Sequence, residues 1–156
     1  MATGNNQDLS SNADPVNSCE VIDMVNSTKS CSNLPAYPLT LKQAAGQVVD
    51  SIPIIIGGHY PGYHDQVYKF DIISNTWQQL GTLSEARSMH ASVILDGGIW
   101  IIGGYNSPGT STEIIYSNGT ITAGKVPLKK SCGKFVRYSI TRNIYLGWHR
   151  VVISKN

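Results

Sequence analysis

The chain has 156 residues, of which 41% are hydrophobic and only 14% are charged, against about 25% charged residues in an average globular domain. This length favours one domain, and 15 glycines with 7 prolines indicate a chain rich in turns. The net charge of +2, without a basic run, gives no indication of nucleic-acid or anionic-membrane binding. No apolar stretch approaches the ~20 residues of a membrane-spanning helix, and the polar N-terminus shows no secretory signal.

The chain contains three cysteines, Cys19, Cys31 and Cys132. Because the number is odd, at least one is unpaired within the chain. Free thiols, a Cys19–Cys31 disulfide and a Cys31–Cys132 disulfide are open alternatives. The sequence has no CxxC pair and no Cys/His spacing typical of a zinc site. We predict neither a metal site nor a cofactor.

The N-terminal part of the chain divides into a polar segment, a strand and a linker. Residues 1–15 are rich in Asn, Ser, Asp and Gln, a composition that predicts disorder. Residues 19–23 have the length and apolar content of a short strand. Pro35 and Pro38 then enclose a short linker, because proline is not tolerated in a central strand.

A four-stranded unit is predicted between residues 40 and 87. The β-branched run Ile-Ile-Ile at 54–56 is typical of a strand, and the glycine pair at 57–58 is expected to end it. A polar loop follows, and Ser-Asn at 74–75 supplies a later turn. The predicted strands are residues 45–49, the run that ends at the glycine pair, residues 66–72 and residues 77–80.

A second unit of the same kind is predicted between residues 88 and 129. Its first two strands are joined by Asp96-Gly97-Gly98, and a DG turn between apolar runs is a strong hairpin signal. It lacks the tryptophan of the first unit, and Thr122 lies where the spacing would place one. The predicted strands are residues 91–95, 99–102, 112–116 and 120–123. A further hairpin, with strands 135–140 and 143–146 and a turn at 141–142, is predicted after this unit.

These units repeat at a nearly fixed spacing. The glycine pair at 57–58 recurs at 103–104, 46 residues later, and Gly147-Trp148 stands at a weaker third position, 44 residues after Gly103. Four strands in a period of roughly 40–50 residues are typical of β-propeller blades. Two glycines, a loop, a strand with an aromatic residue and a tryptophan further on resemble a kelch repeat.

The resemblance implies an all-β fold of kelch-type β-propeller blades. Residues 16–39 then correspond to the outer half of a blade, residues 40–87 and 88–129 to two kelch repeats, and residues 130–156 to a degenerate partial repeat. A closed propeller needs four to eight blades. We therefore expect either a fragment of a longer protein or a short product that associates with copies of itself through open blade edges.

Several residues of the repeats are predicted to be structural. The glycine pairs allow close packing, the aromatic pair lies between blades, and Arg87 makes a buried polar contact from one blade to the next. Asp23, Asp71 and Glu113 are expected at equivalent strand positions, as repeat residues rather than catalysts. The predicted structural residues are Gly57, Gly58, Phe70, Trp77, Arg87, Gly103 and Gly104.

Binding is predicted in the loops that follow the glycine pairs, because such loops gather at one face of a propeller and carry function. Aromatic-rich loops suit contacts with a protein or a glycan. The candidates are His59, Tyr60, Tyr63, His64, Asp65, Tyr105 and Asn106. No Ser-His-Asp order, GxSxG motif, P-loop or carboxylate pair indicates an enzyme, and no catalytic residue is predicted.

The predicted function is a non-enzymatic interaction module that binds a protein or a glycan. One alternative is a fragment of a galactose-oxidase-like propeller enzyme, and another is a truncated cytosolic kelch adaptor of a ubiquitin ligase. The order of motifs most resembles kelch-type proteins of invertebrates that are secreted or lie on cell surfaces. Two N-glycosylation sequons, at Asn26 and Asn118, suit that location, and a cytoplasmic location is the alternative.

Overall fold

The computed structural model describes residues 14–22, 31–106, 111–124, 136–137 and 145–146. Within these residues the chain forms strands and turns and no helix. In chain order the strands are β1 (Cys19–Ile22), β2 (Cys31–Leu34), β3 (Ala45–Val49), β4 (Ile52–His59), β5 (Tyr63–Asp71), β6 (Thr76–Thr82), β7 (Ala91–Leu95), β8 (Gly98–Ile102), β9 (Thr112–Tyr116), β10 (Ile121–Ala123), β11 (Val136–Arg137) and β12 (Tyr145–Leu146).

Two four-stranded antiparallel sheets form the centre of the described structure. The first sheet has the order β3-β4-β5-β6, and the second has the order β7-β8-β9-β10. In each sheet the chain moves up and down through neighbouring strands, from an inner strand to an outer edge strand. Two smaller antiparallel sheets, β1-β2 and β11-β12, precede and follow them along the chain. The described sheets do not close into a complete propeller.

The inner hairpins of the two sheets have the same two-residue turn. Asp50 and Ser51 have φ of 49° and 66°, and Asp96 and Gly97 have φ of 51° and 76°. Two consecutive positive φ values define the type I′ turn, whose twist matches that of paired strands. The DG signal thus predicts the second turn correctly, while the first forms in the same way without a glycine.

An aliphatic core joins the facing surfaces of the two sheets. Alternate residues of each strand point to this core, so that it is made by branched side chains from both sides. Its buried members are Ile54, Ile56, Val67, Leu83, Ile99, Ile101 and Ile115. Burying each such side chain contributes about 1.5–3 kcal/mol. Beside this core the amide of Gln47 in β3 donates to the backbone carbonyl and the hydroxyl of Ser92 in β7, at 3.0 and 2.9 Å.

The opposite face of the first sheet packs against the N-terminal part of the chain through aromatic rings. Tyr37 is buried, and its ring meets Tyr68 and Trp77 edge to face at 5.3 and 5.0 Å. Phe70 lies 5.1 Å from Trp77 on the same side. The indole nitrogen of Trp77 donates to the carbonyl of Pro35 at 3.1 Å. Cys19, Leu41 and Ile55 complete this cluster.

Two predictions about the first sheet are wrong at the glycine pair. The strand β4 does not end at Gly57-Gly58 but continues to His59, and β5 begins at Tyr63 instead of residue 66. The reason is a register shift between Ile56 and Gly58, with φ of 56° and 116° at the two glycines. Such a β-bulge lets a ladder continue after a local bend. Most of the predicted loop is therefore strand.

Two predicted correspondences between the sheets are also wrong. In the first sheet Trp77 pairs with Phe70. In the second sheet Ile115 lies at the position that corresponds to Phe70. Ile115 pairs with Ile121 and not with Thr122. Six residues separate Phe70 from Trp77, but only five separate Ile115 from Ile121, and this difference shifts the count. Asp71 ends β5, but Glu113 is the second residue of β9, so these two acidic residues are not equivalent.

The β1-β2 hairpin excludes one of the disulfide alternatives. Cys19 pairs with Leu34, while Cys31 pairs with Ile22 at the other end, about 10 Å along the strand. A disulfide requires Cα atoms closer than about 7 Å, and Cys19 is a buried free thiol. Burial raises the pKa of Cys19. Three further predictions concern residues outside the described ranges. They are the Cys31–Cys132 disulfide, the turn at 141–142 and the disorder of residues 1–13.

The described part of the chain contains no helix of the length and apolar character needed to cross a membrane.

Candidate interaction surface at the glycine-pair end

The two glycine pairs, Gly57-Gly58 and Gly103-Gly104, lie at the same end of the two four-stranded sheets. We call this end the glycine-pair end. At this end of the first sheet, β4 and β5 are joined by a three-residue tip, Tyr60-Pro61-Gly62, in which the Tyr60–Pro61 peptide is cis. The N–H of Tyr60 donates to the carbonyl of Gly62 at 2.7 Å. The Nε2 of His64 donates to the carbonyl of Tyr60 at 2.7 Å. The tip is thus closed by its own hydrogen bonds.

Contacts below the tip fix it to the sheet. His59 exchanges two backbone hydrogen bonds with Lys42, at 3.0 and 2.9 Å. Its ring also lies 4.7 Å from the ring of Tyr63, its cross-strand partner. Aromatic pairs at this separation stabilise one relative orientation. The backbone of Asp65 accepts the N–H of Leu83 at 2.8 Å.

The tip presents aromatic surface to solvent. Tyr60 is 43% exposed and Tyr63 is 40% exposed, and Tyr105, after the second glycine pair, is 45% exposed. Tyrosine combines a large apolar ring with a hydroxyl and has few rotatable bonds, which makes it a frequent residue at binding interfaces.

One short segment connects the two candidate loops. The backbone N–H of Arg87 donates to the backbone carbonyl of His64 at 3.0 Å. Ser88 and Tyr105 exchange two backbone hydrogen bonds, at 2.8 and 3.3 Å. The side-chain amide of Asn106 donates to the carbonyl of Ala86 at 3.2 Å. The segment 86–88 therefore lies between the tip and the second loop, and the structure brings both sets of candidates to the same end of the sheets.

A buried ion pair supports this connecting segment. The guanidinium of Arg87 is fully buried and donates to Glu113 at 2.7 Å and to the carbonyl of Gly103 at 2.9 Å. The second oxygen of Glu113 accepts the backbone N–H of Ser84 at 2.8 Å. Glu85, which is 38% exposed, lies 3.4 Å from Arg87. A buried ion pair needs such additional hydrogen bonds to offset its desolvation.

The glycine pairs are required by the close approach of this segment. A Cβ at Gly57 would lie 2.6 Å from the carbonyl oxygen of Arg87 and 3.0 Å from the ring of His90. A Cβ at Gly104 would lie 2.7 Å from the carbonyl of Ser88 and 2.9 Å from His90. Both glycines also have positive φ. The backbone of the connecting segment occupies the space that side chains would need.

His90 is buried between the two glycine pairs. Neither of its ring nitrogens has a hydrogen-bond partner among the described residues. Burial lowers the pKa of His90 to about 3, and the positive charge of Arg87 adds to the shift. His90 is therefore neutral at physiological pH. Sequence reasoning did not select His90, which lies three residues after Arg87 in the chain, because no local pattern indicates its burial. It did not select Glu113 because only the folded chain brings that residue, 26 positions away, to Arg87.

The candidates do not all face solvent to the same degree. Tyr60, Tyr63 and Tyr105 are exposed, whereas His59 and His64 are half-buried and support the tip.

The described residues contain no group of three or more His, Cys, Asp and Glu side chains placed to hold a metal ion.

The four-stranded antiparallel sheets have the architecture of partial kelch-type β-propeller blades. The family model of the Kelch motif matches residues 86–117, which run from the connecting segment to the turn after β9. Of the curated proteins, none matches the chain.

Similarity to solved structures shows the same fold. The structure of YjhT is one of 122 matching chains; it gives a TM-score of 0.66 at 13% identity, over 75% of this chain. The match spans 47% of that chain, so the present chain spans about half the length of YjhT. At this level of identity the similarity concerns architecture alone. It agrees with the predicted kelch-type blades, and the resemblance to secreted invertebrate proteins remains a prediction.

Proposed function

We propose that the chain is a non-enzymatic kelch-repeat interaction module that binds a protein partner through the glycine-pair end. One observation carries the proposal. Tyr60, Tyr63 and Tyr105 are 40–45% exposed. They lie on two backbone segments that hydrogen bonds fix in place, and the buried ion pair of Arg87 and Glu113 supports the segment between them.

The fixed backbone supports this function in thermodynamic terms. Association costs free energy for every loop and side chain that becomes ordered on binding. At the tip, the hydrogen bonds Tyr60–Gly62 and His64–Tyr60 already order the backbone before a partner arrives. The rings of Tyr60 and Tyr63 can then contribute contact area at a low entropic cost.

The chemistry of the surface favours a protein over an extended anionic partner. The exposed tyrosines Tyr60, Tyr63 and Tyr105 carry no charge, and the cation of the connecting segment, Arg87, is fully buried. Tyrosine is also enriched at protein interfaces, where a few aromatic residues dominate the binding energy. A glycan partner uses the same tyrosine faces for stacking, and the experiment below separates the two.

The test uses photo-crosslinking in an extract of the native source. A photoreactive group at position 63 is expected to capture a defined species that the same group at Tyr116 does not capture. Tyr116 is a suitable control because it is 37% exposed and ends β9 at the opposite end of the second sheet. Protease treatment of the adduct distinguishes a protein partner from a glycan.

Substitutions then test the assignment of the surface. Tyr60→Ala with Tyr63→Ala is expected to abolish capture by a group at position 105, while Tyr116→Ala leaves it unchanged. Each removed interface tyrosine is expected to cost at least about 1–2 kcal/mol, a weakening of about tenfold or more. Equal capture by both variants would contradict the proposal, provided that their unfolding transitions match that of the parent chain.

A further inference from the structure

The turn at the opposite end of the second sheet carries a feature that the interaction surface does not explain. The connection between β9 and β10 contains Asn118-Gly119-Thr120, the acceptor pattern for N-linked glycans. Asn118 and Thr120 are both exposed. The other such pattern, at Asn26, lies outside the described residues.

The turn already holds the asparagine and the threonine together. The N–H of Thr120 donates to Oδ1 of Asn118 at 2.9 Å, a turn in which the asparagine side chain binds backbone two residues on. Gly119 donates to the carbonyl of Tyr116 at 2.9 Å, and Tyr116 donates to the carbonyl of Thr120 at 2.9 Å. The first bond engages the carbonyl oxygen of the Asn118 side-chain amide, and the other two close the backbone of the turn.

Contacts with the first sheet determine which part of the turn faces solvent. Gly119, with φ of 86°, lies against the backbone carbonyl of Leu80 and leaves no room there for a Cβ. A Cβ at Gly81 would lie 2.9 Å from Ile121, so the two outer strands are also in close contact there. Asn118 therefore lies on the solvent-exposed side of the turn, and the other side of the turn packs against β6.

We propose that Asn118 is a site of N-linked glycosylation. The substrate class is an oligosaccharide joined through its anomeric carbon to a lipid diphosphate. The side-chain nitrogen of Asn118 forms the new bond to that carbon, the carbon–oxygen bond to the diphosphate breaks, and the diphosphate leaves with the bonding electrons. The amide proton is lost to base, so the transfer needs no oxidant or reductant.

The position of the turn gives the glycan a structural role. β6 and β10 are the outer strands of the two sheets, and unpaired outer edges are a common route to association between chains. A glycan at Asn118 stands beside both edges, since the turn touches Leu80 and Gly81 of β6 and leads directly into β10. It shields these edges and leaves the tyrosines at the glycine-pair end free.

The first test is site mapping on the protein from its native source. Enzymatic release of N-glycans in heavy-oxygen water converts a modified asparagine into a labelled aspartate. Label at Asn118 that requires the releasing enzyme is the expected result, because the Asn118-Gly119 sequence also takes up label by spontaneous deamidation without enzyme. A native protein with unmodified Asn118 would overturn the proposal, including the case in which only Asn26 carries label, since that case shows access to the transfer machinery without use of this turn.

Two variants separate the modification from the stability of the turn. Asn118→Asp keeps an oxygen that accepts the N–H of Thr120 but removes the amide nitrogen, and Thr120→Val removes the hydroxyl that the acceptor pattern needs. Expressed in cells that glycosylate the parent chain, both are expected to lose the Asn118 glycan and to show more self-association by sedimentation. Retention of the mass of the glycan in Thr120→Val would contradict the assigned site, and unchanged sedimentation would contradict the shielding role. Capture at the glycine-pair end tests the interaction proposal independently.

Discussion

The two faces of the first sheet bury different kinds of side chain. On the side of the second sheet the contact is aliphatic and tight, with Ile56 and Ile101 fully buried and Arg87 crossing to Glu113. On the side of the N-terminal part, the contact is made by ring edges around Tyr37 and Trp77. The first sheet thus meets one neighbour through branched side chains, beside the ion pair of the connecting segment, and meets the other through aromatic rings.

The difference indicates how much freedom each contact allows. At the aliphatic contact, glycines, backbone and a buried charge must fit together, so that one change affects several partners. At the aromatic contact a ring can tilt and keep most of its buried area. We therefore expect substitutions at the first contact to cost more than substitutions at the second, and four experiments test that order.

The largest effect is expected from Arg87→Leu. It leaves Glu113, whose side chain is 4% exposed, as a buried charge without its partner, a change that typically costs 3–5 kcal/mol. Urea unfolding would measure the loss. Glu85→Gln is the matched control, since that pair is 3.4 Å apart and half open to water, and is expected to cost less than about 1 kcal/mol.

A double variant sharpens this result. Arg87→Leu with Glu113→Leu is expected to be more stable than Arg87→Leu alone, because no charge is left unpaired. If the double variant lost as much stability relative to the parent chain as Arg87→Leu and Glu113→Leu lose together, the ion pair would not be the reason for the loss.

The next effect is expected at the glycine pair. Gly57→Ala places a methyl group 2.6 Å from the carbonyl of Arg87 at φ of 56°, whereas Gly97→Ala meets nothing within 4 Å at φ of 76°. Both variants carry the strain of a positive φ, about 1 kcal/mol. Gly57→Ala is expected to cost about 1–3 kcal/mol more from overpacking. Equal denaturant midpoints for the two variants would show that the close approach carries no cost.

A pH dependence is expected from His90. Its native pKa of about 3 lies below the ordinary value of about 6.5, so below about pH 6.5 the unfolded chain binds a proton that the folded chain does not. Stability is thus complete above that pH and falls as the pH decreases towards about 3, by up to about 1.4 kcal/mol per pH unit. Unfolding of the parent chain and His90→Phe should be compared at about pH 7.5 and about pH 5.5.

The decisive quantity in that experiment is the change with pH and not the stability at one pH. His90→Phe is expected to lose less stability than the parent chain between the two values, whatever its stability at neutral pH. Identical losses would mean that the histidine takes up its proton at the same pH in the folded and unfolded chain.

The smallest effect is expected at the aromatic contact. Trp77→Phe removes the hydrogen bond to the carbonyl of Pro35 and part of the ring, while the edge-to-face packing against Tyr37 can remain. We expect a cost of about 1 kcal/mol. A loss as large as that of Arg87→Leu in the same urea series would reverse the order of the two contacts.

The sequence predicts much of the fold because the local signals agree. The β-branched runs, the turn at Asp96-Gly97 and the repeat of the glycine pair each point to antiparallel strands, and β3, β7 and β9 begin and end at the predicted residues. The candidate site is less predictable. The tip looked like a loop because Gly57-Gly58 resembles the end of a strand, whereas pairing with β5 extends the ladder to His59.

What the sequence determines by itself is therefore the periodic part: the strands, the hairpins and the repeat, all of which depend on side-chain alternation and backbone preferences within short stretches. The tertiary structure decides what lies between the units. It places the carbonyl of Arg87 against Gly57, joins Arg87 to Glu113 and buries His90 without a partner. These contacts join residues that are far apart in the chain, and their energy comes from burial, which no local pattern encodes.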